Sequence, residues 1–226
     1  MLRVNQIKLK TDEPESLLPK KAAETLRVNV QDILSWRIVR QSIDARKKPQ
    51  IFYIYSLDVE VKNERKILAK FKGKENLVNL SDTVPYQFPV AGIQKQTYRP
   101  VIVGMGPAGL FCGYFLALHG FRPILLERGK SVEERQKDVE QFWENGKLLL
   151  HSNVQFGEGG AGTFSDGKLN TGVNNVRIGW ILEQFVKAGA REDILYDAKP
   201  HVGTDVLLTV VQNLRGWIIS LGGEVR

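Results

Sequence analysis

Five residues near the middle of this 226-residue chain have the types and spacing of a phosphate-binding turn. Gly104, Gly106 and Gly109 form a G-x-G-x-x-G pattern, with Pro107 and Ala108 between its last two glycines. In such a turn the first glycine permits a tight bend from strand to helix, and the second lets a diphosphate approach the main chain. The third lets the helix pack closely on the strand. Free N–H groups and a partial positive charge at the helix start favour an anion there. The pattern therefore predicts a site for a dinucleotide.

The neighbouring residues predict the strands and the helix that such a turn requires. Residues 100–103 are an apolar run typical of a strand buried on both faces of a parallel sheet. An apolar, helix-competent run continues to residue 119, and a second strand-like run, 123–126, ends at Glu127. Glu127 follows Gly104 by 23 positions, close to the spacing of about 20 at which an acidic side chain binds a ribose hydroxyl. An acidic residue at this position disfavours the 2′-phosphate of NADP.

A second glycine-rich segment indicates which dinucleotide is bound. Residues 131–134 form a capping box that opens a polar helix of about 15 residues, ending near Asn145 and Gly146. Five glycines then fall between positions 157 and 167. Bare main chain of this kind can run against a flat ring system or a second phosphate, and the flanking Phe156, Phe164 and Leu169 indicate an ordered loop.

Together these segments resemble the FAD-binding region of the two-dinucleotide-binding-domain flavoproteins. Within that superfamily the chain is most similar to bacterial FAD-dependent dehydrogenases, also described as NAD(FAD)-utilising dehydrogenases, including their small N-terminal domain and the stretch 201–205. The resemblance implies that FAD is the cofactor, with NAD(P)H as a candidate electron donor. It implies that Glu127 binds the adenosine ribose and that Arg128 and Arg135 lie near the adenosine and phosphates. The implied pyrophosphate residues are Gly104, Gly106, Pro107, Ala108 and Gly109; those on the flavin side are Gly160, Ala161, Gly162 and Thr163.

The chain also departs from the flavoprotein pattern. Its single cysteine, Cys112, cannot form the dithiol pair of the disulfide reductases, and we expect it to be a packing residue of the helix. Such flavoproteins are roughly twice as long and complete the FAD site with a C-terminal segment, so we expect a truncated form that lacks this segment and most of the substrate pocket. No metal constellation or catalytic set is visible, and we expect His151 and His201 to be structural. A flavin carries the redox chemistry itself, so none is required.

The net positive charge of the chain comes from its first part. Residues 1–97 hold 18 basic and 11 acidic side chains, whereas residues 98–226 hold 14 of each. The charge step predicts two units. The first is a basic α+β domain with connector at 1–97. The motifs and the resemblance imply that the second, at 98–226, is an incomplete Rossmann-like FAD/NAD(P)-binding domain of the α/β class. In the first we expect strands at 3–9 and 51–61, helix through most of 17–46, and an irregular connector at 84–92. In the second we expect core helices at 176–187 and 206–219.

The composition limits the functional classes that remain. No apolar run reaches the roughly 18 residues of a membrane span, the first residues lack the apolar core of a signal peptide, and one cysteine fits a reducing environment, so we expect a cytoplasmic protein. The leading hypothesis is an FAD-dependent oxidoreductase. One alternative is an NAD-binding protein without flavin. The other is an adaptor that binds nucleic acid or the ribosome through residues 1–97, with residues 46–48 and Lys70, Lys72 and Lys74 as its footprint, although these charges also fit a merely solvated surface.

Overall fold

The chain folds into two compact units that together give a mixed α/β protein. The structure, a computed structural model, describes residues 1–82, 84–89, 92–94, 96–169 and 171–226. The first unit comprises Met1–Pro85 with Asp193–Pro200, and the second comprises Tyr86–Glu192 with His201–Arg226. We predicted a boundary at 97/98; the contacts instead divide the chain after Pro85 and add residues 193–200 to the first unit. Val90 and Ala91 of the predicted connector lie outside the described residues, and Val84–Pro89 and Gly92 form no helix or strand.

The first unit is a four-stranded antiparallel sheet with two helices. Its elements follow one another as β1 (Leu2–Lys10), α1 (Leu18–Leu26), β2 (Ile33–Lys47), β3 (Gln50–Val61), α2 (Glu64–Ala69) and β4 (Val78–Leu80). The strands are arranged in the order β2-β3-β1-β4, and all three pairings are antiparallel. This βαββαβ chain order with interleaved strands is the split βαβ arrangement. The strands predicted at 3–9 and 51–61 are confirmed.

The helix predicted through most of residues 17–46 is confirmed for α1 and wrong beyond it, because residues 33–47 are strand β2. The pairing of β2 with β3 shifts register at three places, between Ile33 and Ser35, Ile38 and Arg40, and Asp44 and Lys47. Each irregularity inserts a residue and breaks the alternation of apolar and polar side chains. The resulting spacing imitates a helical period, although the β-branched and aromatic residues of this segment favour a strand.

One face of this sheet forms the hydrophobic core of the first unit. The alternation of side chains along β1 and β3 directs one set to the helices, and Tyr55, Leu57 and Val59 are almost fully buried there. Leu18 and Leu26 of α1 and Ile67 of α2 pack into the same cluster. Among the described residues, the helices therefore cover one face of the sheet and leave the other without a helical layer.

A buried carboxylate fixes the uncovered face. Asp58 on β3 is fully buried, lies opposite Arg3 on β1 and Arg37 on β2, and forms ion pairs with both at 2.9 Å. Ser81 donates a further hydrogen bond of 2.8 Å. Burial opposes ionisation of Asp58, but the bonds from Arg3, Ser81 and Arg37 outweigh it, and the pKa of the carboxyl is lowered. The cluster ties three strands and the residue after β4 together.

The second unit is built on a three-stranded parallel sheet. Strands β5 (Val101–Val103), β6 (Ile124–Leu126) and β7 (Glu224–Val225) lie in that order. Helix α3 (Pro107–Leu118) connects the first two strands, and α4 (Val132–Asn145), α5 (Arg177–Lys187) and α6 (Thr204–Ser220) precede the third. The predicted strands, the capping box at Ser131 and the helices predicted at 176–187 and 206–219 are confirmed. Helix α6 buries an apolar face as expected, whereas the apolar side chains of α5 are not fully buried and its buried residue is Gln184. In the part of the chain that the structure describes, no helix combines the length and apolarity needed to cross a bilayer.

The prediction that residues 100–103 are buried on both faces is wrong. Leu125 in the central strand is fully buried, but Val101 and Val103 are 58% and 84% exposed. Strand β5 is at the edge of the sheet, and the side chains of Val101 and Val103 point to the face opposite that of Ile102. None of the described residues forms a layer over that face of β5.

We predict that Asp58→Asn lowers the free energy of unfolding of the first unit by about 2–3 kcal/mol at pH 7, because two arginines lose a buried charged partner. Hydrogen exchange along β1 and β3 measures the change. Because the folded pKa is lowered, the stabilisation is present above the unfolded value of about 3.9 and is lost as pH falls through the folded pKa. The difference between the two proteins should therefore narrow only below about pH 4. Asp44→Asn, in a surface pair with Arg46, is the matched control and should exchange like the parent; an equal effect of both variants contradicts the assignment.

Candidate functional site

The turn from β5 to α3 presents unpaired main-chain donors. Helix α3 begins at Pro107 after Gly106, which has extended backbone (φ −64°, ψ 179°). Among the described residues, the N–H groups of Gly106, Ala108 and Gly109 have no hydrogen-bond partner, and the first bond of the helix is that from Leu110 N to Gly106 O at 2.9 Å. Pro107 and Ala108 are exposed. Three donors and the positive end of the helix dipole therefore face the same exposed turn.

The glycines of this turn have different surroundings, as the sequence pattern predicts. A Cβ atom at Gly109 would lie 1.9 Å from the carbonyl oxygen of Gly104, so only glycine permits this contact between helix and turn. A Cβ atom at Gly106 would meet no atom within 4 Å. Gly109 is therefore required by packing, whereas the space beside Gly106 is open for a ligand.

Glu127 lies beside the same turn. One of its carboxylate oxygens accepts a hydrogen bond from Met105 N at 2.6 Å, and the other accepts one from Gly129 N at 2.8 Å. The side chain is half-buried, and a carboxylate has about four acceptor positions. Glu127 thus holds the turn in place and keeps capacity for a hydroxyl donor.

The second glycine-rich segment packs directly against the turn. Gly159 N donates to Met105 O at 2.8 Å, and a Cβ atom at Gly160 would lie 3.1 Å from Cδ of Pro107. Gly160 has φ +73° and ψ −170°, a conformation that only glycine adopts without strain. A short 3₁₀ turn, Ala161–Phe164, follows, in which Ala161 and Gly162 are exposed and Thr163 is buried. The structure therefore brings together the two segments that the sequence marked separately.

Arg135 holds the second segment from beneath. It lies on α4, is fully buried, and donates to the carbonyl oxygens of Asn153 and Val154 at 3.2 Å, to that of Gly160 at 3.1 Å, and to that of Glu158. Burial lowers its pKa, an effect that the charges of Glu127 and Glu158 oppose. The placement of Arg135 near the adenosine and phosphates stays a prediction; in the structure its two terminal amino groups are occupied by four carbonyls. It acts in this structure as a positioning residue of the loop.

Arg128, the other arginine implied by the resemblance, is exposed. Its guanidinium lies 4.4 Å from the ring centroid of Phe156. It lies one residue beyond Glu127 and its charge is directed to solvent. This placement leaves Arg128 available for an anionic group.

Glu158 is a buried charged residue that sequence reasoning missed. It is 2% exposed, and its Oε2 accepts from Val132 N at 2.7 Å and from Arg215 of α6, which also pairs with Glu133. Burial raises the pKa of Glu158 although Val132 N–H and Arg215 oppose this. Its signal in the sequence was a lone acidic residue inside a glycine run. Glu158 joins the loop to the start of α4 and to α6, and so completes the support that Arg135 provides.

An apolar cavity of about 170 Å³ lies next to the loop and the start of α3. Its wall includes Leu110, Phe111, Phe185 and Val211, which the sequence marked only as helix or core positions. Pro107, Gly159, Gly162 and Thr163 form the side facing the turn, and Ser165 and Lys168 add polar groups. The cavity fits an apolar or flat group whose charged end lies at the turn.

Three candidate residues lie outside this arrangement. Cys112, expected to be a packing residue, is exposed on α3. His151 and His201 are exposed, and His201 forms a short strand bridge with Lys168. Within the described ranges, no cluster of three or more His, Cys, Asp or Glu residues could hold a metal ion.

Comparisons with known proteins match this chain to a domain family of unknown function and to an uncharacterized relative. Residues 1–60 match a family described as a domain of unknown function (DUF8436). The chain is 43% identical over 224 residues to an uncharacterized protein of Clostridium beijerinckii, in an alignment that covers 99% of this chain and 42% of that protein. The chain therefore spans less than half the length of this curated relative.

We predict that Arg135→Lys releases the glycine-rich loop. A lysine ammonium cannot serve four carbonyls, and each buried carbonyl left unpaired costs about 1–3 kcal/mol. Amide hydrogen exchange across residues 157–163 should accelerate at least about tenfold, as measured by mass spectrometry. Arg128→Lys keeps a cation over Phe156 and should leave this exchange unchanged; equal protection in both variants contradicts the positioning role.

Proposed function

We propose that the second unit binds FAD and belongs to an FAD-dependent oxidoreductase. The observation that carries the proposal is the turn itself: three unpaired N–H groups, a helix N-terminus and open space beside Gly106 occur together. A diphosphate is the group that such main chain accommodates, because it needs several donors and a close approach to the backbone. The order β5-β6-β7 with α3 between the first two strands matches one half of a Rossmann sheet.

The residues present fit a bound dinucleotide on both sides of the turn. Gly106, Ala108 and Gly109 would donate to the pyrophosphate, with Gly104 and Pro107 shaping the turn around it. Glu127 would accept from the adenosine ribose with its remaining acceptor positions, and Arg128 would lie over the adenosine side. These assignments use groups that have no other partner among the described residues or have spare capacity.

The flavin side is assigned to the second glycine-rich segment. Ala161 and Gly162 are exposed, and the apolar cavity opens next to them. The flavin ring of FAD, or the ribityl group that links it to the diphosphate, would lie against Gly160, Ala161, Gly162 and Thr163. On the cavity side, Phe111 and Phe185 would exclude water. Bound FAD would supply hydride transfer to or from an organic substrate, with NAD(P)H as a candidate donor.

The arrangement favours FAD over NAD alone at this site. An NAD site of this type needs the turn, the helix and the acid, and those features do not account for a second bare loop packed on Pro107. Arg135 and Glu158 are buried where they hold that loop, and their hydrogen bonds and the ion pair of Glu158 with Arg215 offset part of the cost of burying charge. A loop held in this way suits FAD, whose flavin would lie against the loop while its diphosphate lies at the turn.

The activity of the whole protein is a wider proposal than the binding site. The chain spans 42% of its Clostridium relative, and no residue described here is assigned to catalysis. We propose that segments corresponding to the rest of the Clostridium relative complete the cofactor site and contribute the substrate pocket. We also propose a cytoplasmic location, because a chain with a single cysteine fits a reducing environment.

We predict that Gly106→Ala strongly weakens dinucleotide binding without affecting folding. The added Cβ meets no protein atom and φ at this position suits alanine, but the methyl group occupies the space in which a diphosphate would lie. Titration calorimetry with FAD, NAD and ADP should show a loss of affinity of about a hundredfold or more for whichever of these the parent protein binds, while thermal unfolding is unchanged.

Gly216→Ala, in α6, is the matched control because its Cβ also meets no atom within 4 Å; it should bind as the parent does. Preference of the parent for FAD over NAD supports the flavin assignment, and preference for NAD supports the alternative. Undiminished binding by Gly106→Ala contradicts the placement of the diphosphate.

A further inference from the structure

The uncovered face of the sheet in the first unit carries a pattern of side chains that the dinucleotide site does not use. Pairing across β1, β3 and β2 aligns Lys10 with Phe52 and Asp44, and aligns Lys8 with Ile54 and Ser42. Next to them Ser56 pairs with Arg40. Cations therefore lie at both edges of a central strip that contains an aromatic ring.

The charges on this part of the face are strongly one-sided. Lys8, Lys10 and Arg40 are exposed, and no carboxylate of the described residues lies within ion-pair distance of them. Of the carboxylates that share the face, Asp58 pairs with Arg3 and Arg37, and Asp44 pairs with Arg46. Glu60 lies beyond Asp58 on β3, away from the three cations, and accepts from Ser35 Oγ at 2.9 Å. The electrostatic potential of the strip is thus positive.

An aromatic side chain lies among these cations. Phe52 is half-buried, and the ammonium of Lys8 lies 5.5 Å from its ring centroid. A positively charged track beside a solvent-facing ring is the combination by which proteins bind single strands, with phosphates on the cations and a base stacked on the ring. Four-stranded sheets of RNA-recognition modules use an open face in this way.

The other candidate footprint does not form part of this surface. Lys70, Lys72 and Lys74 follow α2, whose Ile67 packs into the core on the opposite face of the sheet. Residues 196–198 pair with the edge of β2 at Gln41 through main-chain bonds, which extends the sheet and leaves its face uncovered. The basic residues of the first unit thus divide into an open-face set and a helix-side set.

We propose that the open face of the first unit binds single-stranded nucleic acid, with Lys8, Lys10 and Arg40 contacting phosphates and Phe52 stacking on a base. A duplex keeps its bases stacked on one another and cannot offer one to a flat sheet, so the preferred ligand is single-stranded. This binding is independent of the dinucleotide site in the second unit.

The test is fluorescence anisotropy of the full chain with fluorescein-labelled twelve-nucleotide oligouridine and oligothymidine over a range of KCl concentrations. The triple variant Lys8→Ala, Lys10→Ala, Arg40→Ala should bind at least about tenfold more weakly. It should also reduce the slope of log affinity against log salt by about 2, since each phosphate contact on a single strand contributes about 0.7. The triple variant Lys70→Ala, Lys72→Ala, Lys74→Ala removes the same charge from the other side and should bind as the parent does.

Phe52→Leu separates stacking from charge because it keeps an apolar side chain on the strand. It should weaken binding about fivefold or more and leave the salt slope unchanged. Tighter binding of oligouridine assigns a contact to the ribose 2′-hydroxyl, and equal binding assigns the site to single strands of either kind; both support the proposal. The proposal would be overturned by absence of binding at about 50 mM KCl or by equal losses in the two triple variants. It would also be overturned if polyglutamate displaced the oligonucleotide and Phe52→Leu had no effect, a result that would point to an acidic protein as the partner.

Discussion

The close contact between Gly109 and the carbonyl of Gly104 determines the geometry of the second unit. With no side chain at Gly109, α3 starts immediately above the end of β5, and its first N–H groups are directed into the turn and away from the protein interior. Glu127 then fixes the turn by accepting from Met105 N. A backbone held at both ends keeps its donors aligned without a ligand, which reduces the entropic cost of binding an anion there.

Two buried charged residues, Arg135 and Glu158, hold the glycine-rich loop that packs against this turn. The glycine-rich loop has few side chains with which to pack, so its position depends on main-chain partners. Arg135 supplies donors to four carbonyls, and Glu158 accepts from the start of α4 and pairs with Arg215. These partners offset part of the cost of burying the two charges; Arg135 Nε and Glu158 Oε1 are buried without a hydrogen-bond partner.

Local sequence predicted the second unit better than the first. The G-x-G-x-x-G pattern, the apolar runs and the capping box each reflect a short-range constraint, so the turn, β6, α4 and the position of Glu127 followed from them. Strand β2 did not, since its three register shifts depend on pairing with β3 and disturb the apolar period. The support that Arg135 and Glu158 give to the loop was missed for a similar reason, because contacts with residues 18 or more positions away have no local signal. The exposure of Val101 and Val103 likewise depends on what covers the sheet, which an apolar run does not specify.

The phosphate sites proposed for the two units differ chemically. In residues 98–226 basic and acidic side chains balance, and the donors are peptide N–H groups fixed in a turn. Such donors release few counterions, so their affinity should depend weakly on salt. At the proposed nucleic-acid site of the first unit the cations are lysine and arginine side chains on the open face of the sheet, where binding would be driven largely by counterion release and would fall steeply with ionic strength.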